Sequence, residues 1–174
     1  LMGAGYSFMS PDDVFEHLEQ QKEFPEKSLL LAFDDGCESV ATLAAPRMTS
    51  RGITGLVFQT THEDAFVFHL EGNRQKRCSK EQIAELVSRG WKWGVHSVMH
   101  TPPSTLSTEE LRTDFQQSIH WVSEASEQTV EDYAIPGNFM STPLLTAAKE
   151  AGIKRVWSAS PRLNTHPYQQ QTLP

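Results

Sequence analysis

Two pairs of residues in this chain of 174 have the types and spacing to do chemistry together. The first is Asp34-Asp35, preceded by the apolar run Leu29-Leu30-Leu31-Ala32-Phe33 and followed by Gly36. Adjacent carboxylates leaving an extended segment point in different directions, so one can ligate a cation while the other faces a substrate. The second is His96 and His100, within His96-Ser97-Val98-Met99-His100. On a helical turn, i, i+4 spacing places both imidazoles on one face. Two histidines and one carboxylate make a three-ligand site with an open position, the arrangement a hydrolytic metal centre needs. Singly, Asp-Asp-Gly also reads as a plain turn, and His-x-x-x-His as surface or core histidines. What joins them is that both fall at the ends of strand-like segments.

Those segments alternate with helix signals along the whole chain. Ser10-Pro11-Asp12-Asp13 has an N-cap serine, a proline at the first helical position and acids in the first turn, so a helix carrying Val14, Phe15 and Leu18 is expected, ending before Pro25. Leu29–Phe33 reads as a strand buried on both faces, as in parallel sheets. A helix is expected over Val40–Arg51 despite Pro46, with Gly52 as its cap, then a strand over Gly55–Gln59. Thr60–Arg77 is polar and irregular, a loop of the kind that shapes a binding rim. Capping boxes at Ser79–Gln82 and Ser107–Glu110 open two more helices, the first running through Ile83, Leu86 and Val87 to Gly90, the second carrying the core stripe Leu111, Phe115, Ile119 and Val122. Further strands are read at Trp91–Val95, Tyr133–Ile135 and Arg155–Ser158, with a helix from Thr142-Pro143 to Gly152. Five strands separated by helices imply right-handed crossovers and a mostly parallel sheet. The fold class is α/β, and residues 1–174 read as one domain. In such sheets the chemistry sits at the carboxyl ends of the strands, where Asp34-Asp35, His96 and Pro136-Gly137 all fall.

Composition narrows the partners. Lys and Arg number 15 against 22 Asp and Glu, a net charge of −7, which argues against a nucleic-acid backbone or an anionic membrane surface. The longest apolar run, Leu29–Phe33, is far short of a membrane span. Cys37 and Cys78 are too few for a disulfide scaffold. Cys37 is expected to be a small buried side chain. His17, His62, His69 and His120 lack partners at ligand spacing and are expected to be solvated or to cap. Trp91 and Trp93 alternate on their strand, so one is expected in the core and the other is a candidate for stacking on a sugar ring; Trp121 and Trp157 are expected in the core. The chain starts at Leu1 and ends at Leu173-Pro174, which leaves room for further sequence at either end.

Ala32-Phe33-Asp34-Asp35-Gly36, followed by His96-Ser97-Val98-Met99-His100, resembles the first two motifs of the polysaccharide deacetylases of the NodB-homology type (carbohydrate esterase family 4), whose usual forms are T-F-D-D-G and H-[ST]-x-x-H. The resemblance runs from about Ser10 to Trp157 and implies a distorted or incomplete (β/α) barrel. It also implies roles. Asp34 would be the general base, and Asp35, His96 and His100 would hold a divalent metal, typically Zn2+, with Co2+, Ni2+ and Fe2+ also compatible. Tyr133-Ala134-Ile135-Pro136-Gly137-Asn138 lies where the family has F-R-P-P-Y-G, so the backbone N–H of Gly137 would face the oxyanion. The implied substrate is an acetylated glycan or amino-sugar, and the family's glycans are mostly those of the envelope or extracellular space.

Three departures stand out. Ala134 replaces the arginine that orients the base, and no Asp follows Trp157 as its partner. The late Leu-x-His motif that supplies the general acid is not recognisable; His166, the last histidine of the chain, is the candidate acid. The expected activity is therefore metal-dependent deacetylation, N-acetyl ahead of O-acetyl. The competing expectations are a hydrolase of small amides or acylated sugar precursors on the same fold, and a catalytically impaired carbohydrate-binding domain.

Overall fold

The computed structural model describes residues 1–65 and 76–159. Its centre is a five-stranded parallel sheet with strands in sequence order: β3 (Leu31–Phe33), β4 (Gly55–Gln59), β5 (Lys92–Val95), β6 (Asp132–Ala134) and β7 (Arg155–Trp157). The sheet curls into half a barrel, in keeping with the expected distorted (β/α) barrel. A shorter parallel pair, β1 (Ser7–Phe8) and β2 (Ser28–Leu29), precedes it.

Helices α1 (Pro11–Glu19), α3 (Lys80–Ser88) and α4 (Thr108–Ser126) begin at complete capping boxes built on Ser10, Ser79 and Ser107, in each of which the serine hydroxyl accepts the third backbone N–H while that residue's side chain accepts from the serine N–H. Helix α5 (Thr142–Glu150) is capped by the Ser141 hydroxyl. The segment expected as one helix over Val40–Arg51 begins instead with a wide π turn over Val40–Ala44, in which Ala45 N–H bonds Val40 five residues back, and becomes α2 only at Ala45–Thr49. Pro46 has no N–H to continue a regular ladder, so the α-helical register starts around it.

One face of the sheet carries Val57, Trp93, Val95 and Tyr133 into the main core with Ile83 and Leu86 of α3, Leu111, Phe115 and Val122 of α4, and Leu144, Ala147 and Ala148 of α5. The rings of Phe115 and Tyr133 meet edge-on at 4.8 Å. The other face holds Leu56, Phe58 and Ala134, against which Phe15, Leu30 and Trp157 pack. This concave face needs a residue without a side chain at its middle: a Cβ on Gly94 would lie 2.6 Å from the Asp132 carbonyl and 2.8 Å from the Phe58 ring.

Three expectations are corrected here. Leu29–Phe33 is not a single strand buried on both sides: it divides between β2 and β3, and Ala32 is exposed because β3 is the edge of the main sheet. The strands buried throughout are β4 and β6. Trp91 and Trp93 are both buried, because residues two apart on an extended segment share a face, here the main-core face where Trp91 meets Phe33, which leaves neither to stack on a sugar. Cys37, Trp121 and Trp157 are only half-buried; Lys80 lies over the Trp121 ring at 5.7 Å. Among the described residues no helix is long and apolar enough to cross a membrane.

Candidate metal centre

The site lies where the carboxyl ends of β3 and β5 adjoin across β4. The turn after β3 places Asp35 and Gly36 consecutively in the left-handed region, φ 67° and 66°. Asp tolerates that conformation better than most residues, and at Gly36 glycine is required twice over, since a Cβ would also collide with the side-chain amide of Gln59. Gln59 is fully buried, donates to the Thr60 carbonyl at 2.8 Å and accepts from Trp93 Nε1 at 3.3 Å. Its own carbonyl accepts the His96 N–H at 2.9 Å, so one residue abuts the aspartate turn and anchors the histidine segment.

A second brace reaches the turn from Arg77. Its Nε donates to Thr60 Oγ1 at 2.6 Å, and Thr60 Oγ1 donates to the Asp35 carbonyl at 3.1 Å. The guanidinium also holds the Glu63 and Ala65 carbonyls, each at 3.0 Å. The backbone around Arg77 is zipped to the turn: Glu38 N–H bonds Lys76 O at 2.7 Å and Cys78 N–H bonds Gly36 O at 2.8 Å.

The two histidines do not sit on a helical turn. His96–His100 is a loop in which Ser97 and His100 take positive φ, 71° and 58°. The chain reverses tightly, and the imidazoles meet edge to face with centroids 4.7 Å apart. His96 is buried and its Nδ1 lies 2.9 Å from the Ala134 carbonyl, so Nδ1 carries the proton and Nε2 is left as an acceptor. His96 Nε2 is 3.8 Å, and His100 Nε2 3.7 Å, from Asp35 Oδ1. That oxygen is buried and accepts no hydrogen bond. Asp35, His96 and His100 each offer one ligand atom, all within 4.8 Å of one another. An unpaired buried carboxylate oxygen is costly, and a cation between it and two imidazole nitrogens removes the cost, so the donor set fits a divalent ion. Burial pushes the His96 imidazole below the ordinary histidine range, with His100 adding to the effect and the Ala134 carbonyl, Asp34 and Asp35 opposing it. A neutral imidazole is the ligating form.

Asp34 is exposed beside this cluster. After β6, Gly137 turns with φ 68° and packs over Pro102, two residues past His100. Ala134, in the place of the family's arginine, is buried on the concave face. Arg155, the only arginine in a strand among the described residues, is bound elsewhere, donating to both oxygens of Asp132 at 2.7 and 2.8 Å. His166 and His69 lie outside the described residues. His17 bonds the Asp13 carbonyl, and His62 accepts the Asp64 N–H, both local contacts of the expected kind.

The family model for polysaccharide deacetylases matches residues 21–156. The chain belongs to the polysaccharide deacetylase family. YxkH of Bacillus subtilis (strain 168), a curated relative named for the same family, is 22% identical over 148 residues, 85% of this chain and 50% of that protein. The chain thus spans about half the length of this curated polysaccharide deacetylase relative. Among solved structures, the fold is shared with the BpsB deacetylase domain from Bordetella bronchiseptica (TM-score 0.78, 18% identity, 94% of this chain and 76% of that one). It is shared also with IcaB from Ammonifex degensii (0.76, 24%, 90% and 70%) and with the deacetylase PplD of Streptococcus pyogenes in complex with acetate (0.73, 20%, 86% and 64%).

The residues that brace the site were not singled out in the sequence. Gln59 had a usable signal, a polar residue closing an apolar strand. Asp114 had one too: it stands three residues after Leu111 and beside Phe115, on the apolar stripe of its helix. Arg77 and Thr60 had none, since their effect depends on two loops meeting.

Proposed function

We propose that this chain is a metal-dependent deacetylase that hydrolyses acetyl groups, N-acetyl in preference to O-acetyl, from a polysaccharide or amino-sugar. The observation that carries this is the buried, unbonded Oδ1 of Asp35 facing the Nε2 atoms of His96 and His100. These three residues would hold the ion, and their N,N,O donor set suits Zn2+, with Co2+, Ni2+ or Fe2+ as alternatives. When bound, the ion supplies Lewis acidity for the acyl carbonyl and the attacking water.

The chain's own groups do the rest. Asp34, exposed at the end of β3, takes the proton from the attacking water as general base. The Gly137 N–H, on the loop packed over Pro102, donates to the oxyanion that forms on the acyl oxygen. His166 is the candidate acid for the departing amine.

Acetate release from N-acetylglucosamine oligomers is the direct test. Asp34→Asn and His96→Ala should each lower the rate by about 10²–10⁴-fold, and a chelator should abolish it reversibly. Equal activity in the metal-free protein overturns the mechanism. The concave face favours one second possibility: with Ala134 at the arginine position and Arg155 held by Asp132, the chain binds glycans without turning them over. Glycan binding by calorimetry with no acetate released at any pH selects it. Release from monomers but not from polymers selects a small-amide or sugar-precursor hydrolase.

A further inference from the structure

The loop that carries both histidines is held by something outside it. Positive φ at Ser97 and His100 is strained for residues other than glycine. Such conformations persist only where the surroundings over-determine them. Here the surroundings are one carboxylate of α4. Asp114 Oδ2 accepts from the Ser97 hydroxyl at 2.9 Å and from the Val98 N–H at 3.0 Å. Ser97 Oγ in turn accepts the Thr101 N–H at 3.2 Å, which closes the loop on its far side. The Val98 carbonyl accepts the His62 N–H at 2.9 Å, so the loop's midpoint is fixed from two directions.

Asp114 is half-buried under this loop, and burial pushes its carboxyl up against the pull of the Val98 and Ser97 donors. Its carboxylate accepts from Ser97 and Val98, the two residues that follow His96. Loss of its acceptor oxygen releases the Ser97 hydroxyl and the Val98 N–H and leaves Ser97 free to relax toward ordinary φ, which swings His100 relative to His96.

We propose that Asp114 is a positioning residue which, through Ser97 and Val98, holds the His96–His100 loop with both Nε2 atoms aimed at Asp35 and thereby sets the affinity of the site for a divalent cation. This rests on the metal-binding role proposed above. Outer partners of metal ligands typically contribute about 10–100-fold in affinity.

The test is zinc titration by calorimetry against a competing chelator, with the absorption spectrum of the cobalt-loaded protein as a second readout. Asp114→Ala should bind zinc about 10–100-fold more weakly and shift the cobalt spectrum. Asp114→Asn keeps one oxygen able to accept both bonds, so it should stay within about threefold of wild type, since position rather than charge is what it supplies. Ser97→Ala, which removes the hydroxyl bond and leaves the helix intact, should weaken zinc binding in the same direction and stands in if Asp114→Ala does not fold. Wild-type zinc uptake with unchanged uptake in Asp114→Ala, or in Ser97→Ala where that variant stands in, overturns this proposal alone, as does an Asp114→Asn variant as weak as Asp114→Ala. A wild-type protein that takes up no zinc overturns the metal-binding role and this proposal with it.

Discussion

His96 Nδ1 lies 2.9 Å from the main-chain oxygen of Ala134, a contact from the end of β5 to the last residue of β6. Because a carbonyl only accepts, this contact fixes the tautomer and leaves His96 Nε2 facing Asp35. Zinc at about 100 times its dissociation constant should therefore stabilise the fold by about 2.7 kcal/mol. The increment should vanish in His96→Ala and Asp35→Asn. Thermal unfolding with and without zinc measures it, and an equal rise in both variants would rule the three-residue site out.

Gly36 and Gln59 press on one another behind the aspartate turn. Gly36→Ala must both tolerate φ 66° and push the Gln59 amide away, so a loss of about 2 kcal/mol or more is expected in denaturant unfolding. In the double variant with Gln59→Ala the steric part should be relieved while about 1 kcal/mol of backbone strain remains. A fully additive pair would show that the two do not touch.

The concave face is tied together at its base. Asp132 is buried, accepts two bonds from Arg155, and takes a third from Trp157 Nε1 at 2.8 Å. Asp132→Ala should cost about 3 kcal/mol, because it strips a half-buried guanidinium of its main partner. Glu131 and Glu19, each 3.4 Å from Arg155, keep the loss from being larger. A change below about 0.5 kcal/mol, the range of ordinary surface substitutions, would contradict this.

Cys78 offers a pH test. Burial raises its thiol from about 9 to about 11, so in the folded state it keeps a proton that the unfolded chain releases earlier. Its contribution is fully present below about pH 9 and is lost as pH rises toward 11. The loss is of order 2 kcal/mol. Stability followed from pH 8 to 11 should fall less steeply in Cys78→Ala, and parallel curves would show that this thiol is not the cause.

Much of this architecture is local in origin, which is why it was legible. The serine caps at Ser10, Ser79 and Ser107 act through atoms three residues apart, and the core stripe of α4 follows from helical period alone. The strand ends, and with them the rim holding Asp34, Asp35, His96 and Gly137, followed from the same periodicities. Where local pattern misled, a neighbour decided. The Leu29–Phe33 run looked doubly buried but lies at a sheet edge, and sequence carries no mark of which strand will be last. Trp91 and Trp93 were expected to split between core and surface, but two residues apart they share one face, and that face is the core.

By itself the sequence pointed to Asp34, Asp35, His96 and His100 and to their place at the carboxyl ends of parallel strands, because residue type and period are written in it. Only the tertiary structure decided how they converge. The histidines meet through two left-handed residues held from α4 by Asp114, not through a helical turn. Asp35 keeps an unpaired oxygen in a turn that Gln59 and Thr60, at the end of β4, seat through Gly36 and the Asp35 carbonyl. Those are contacts between segments distant along the chain, and such contacts exist only once the sheet has brought the segments together.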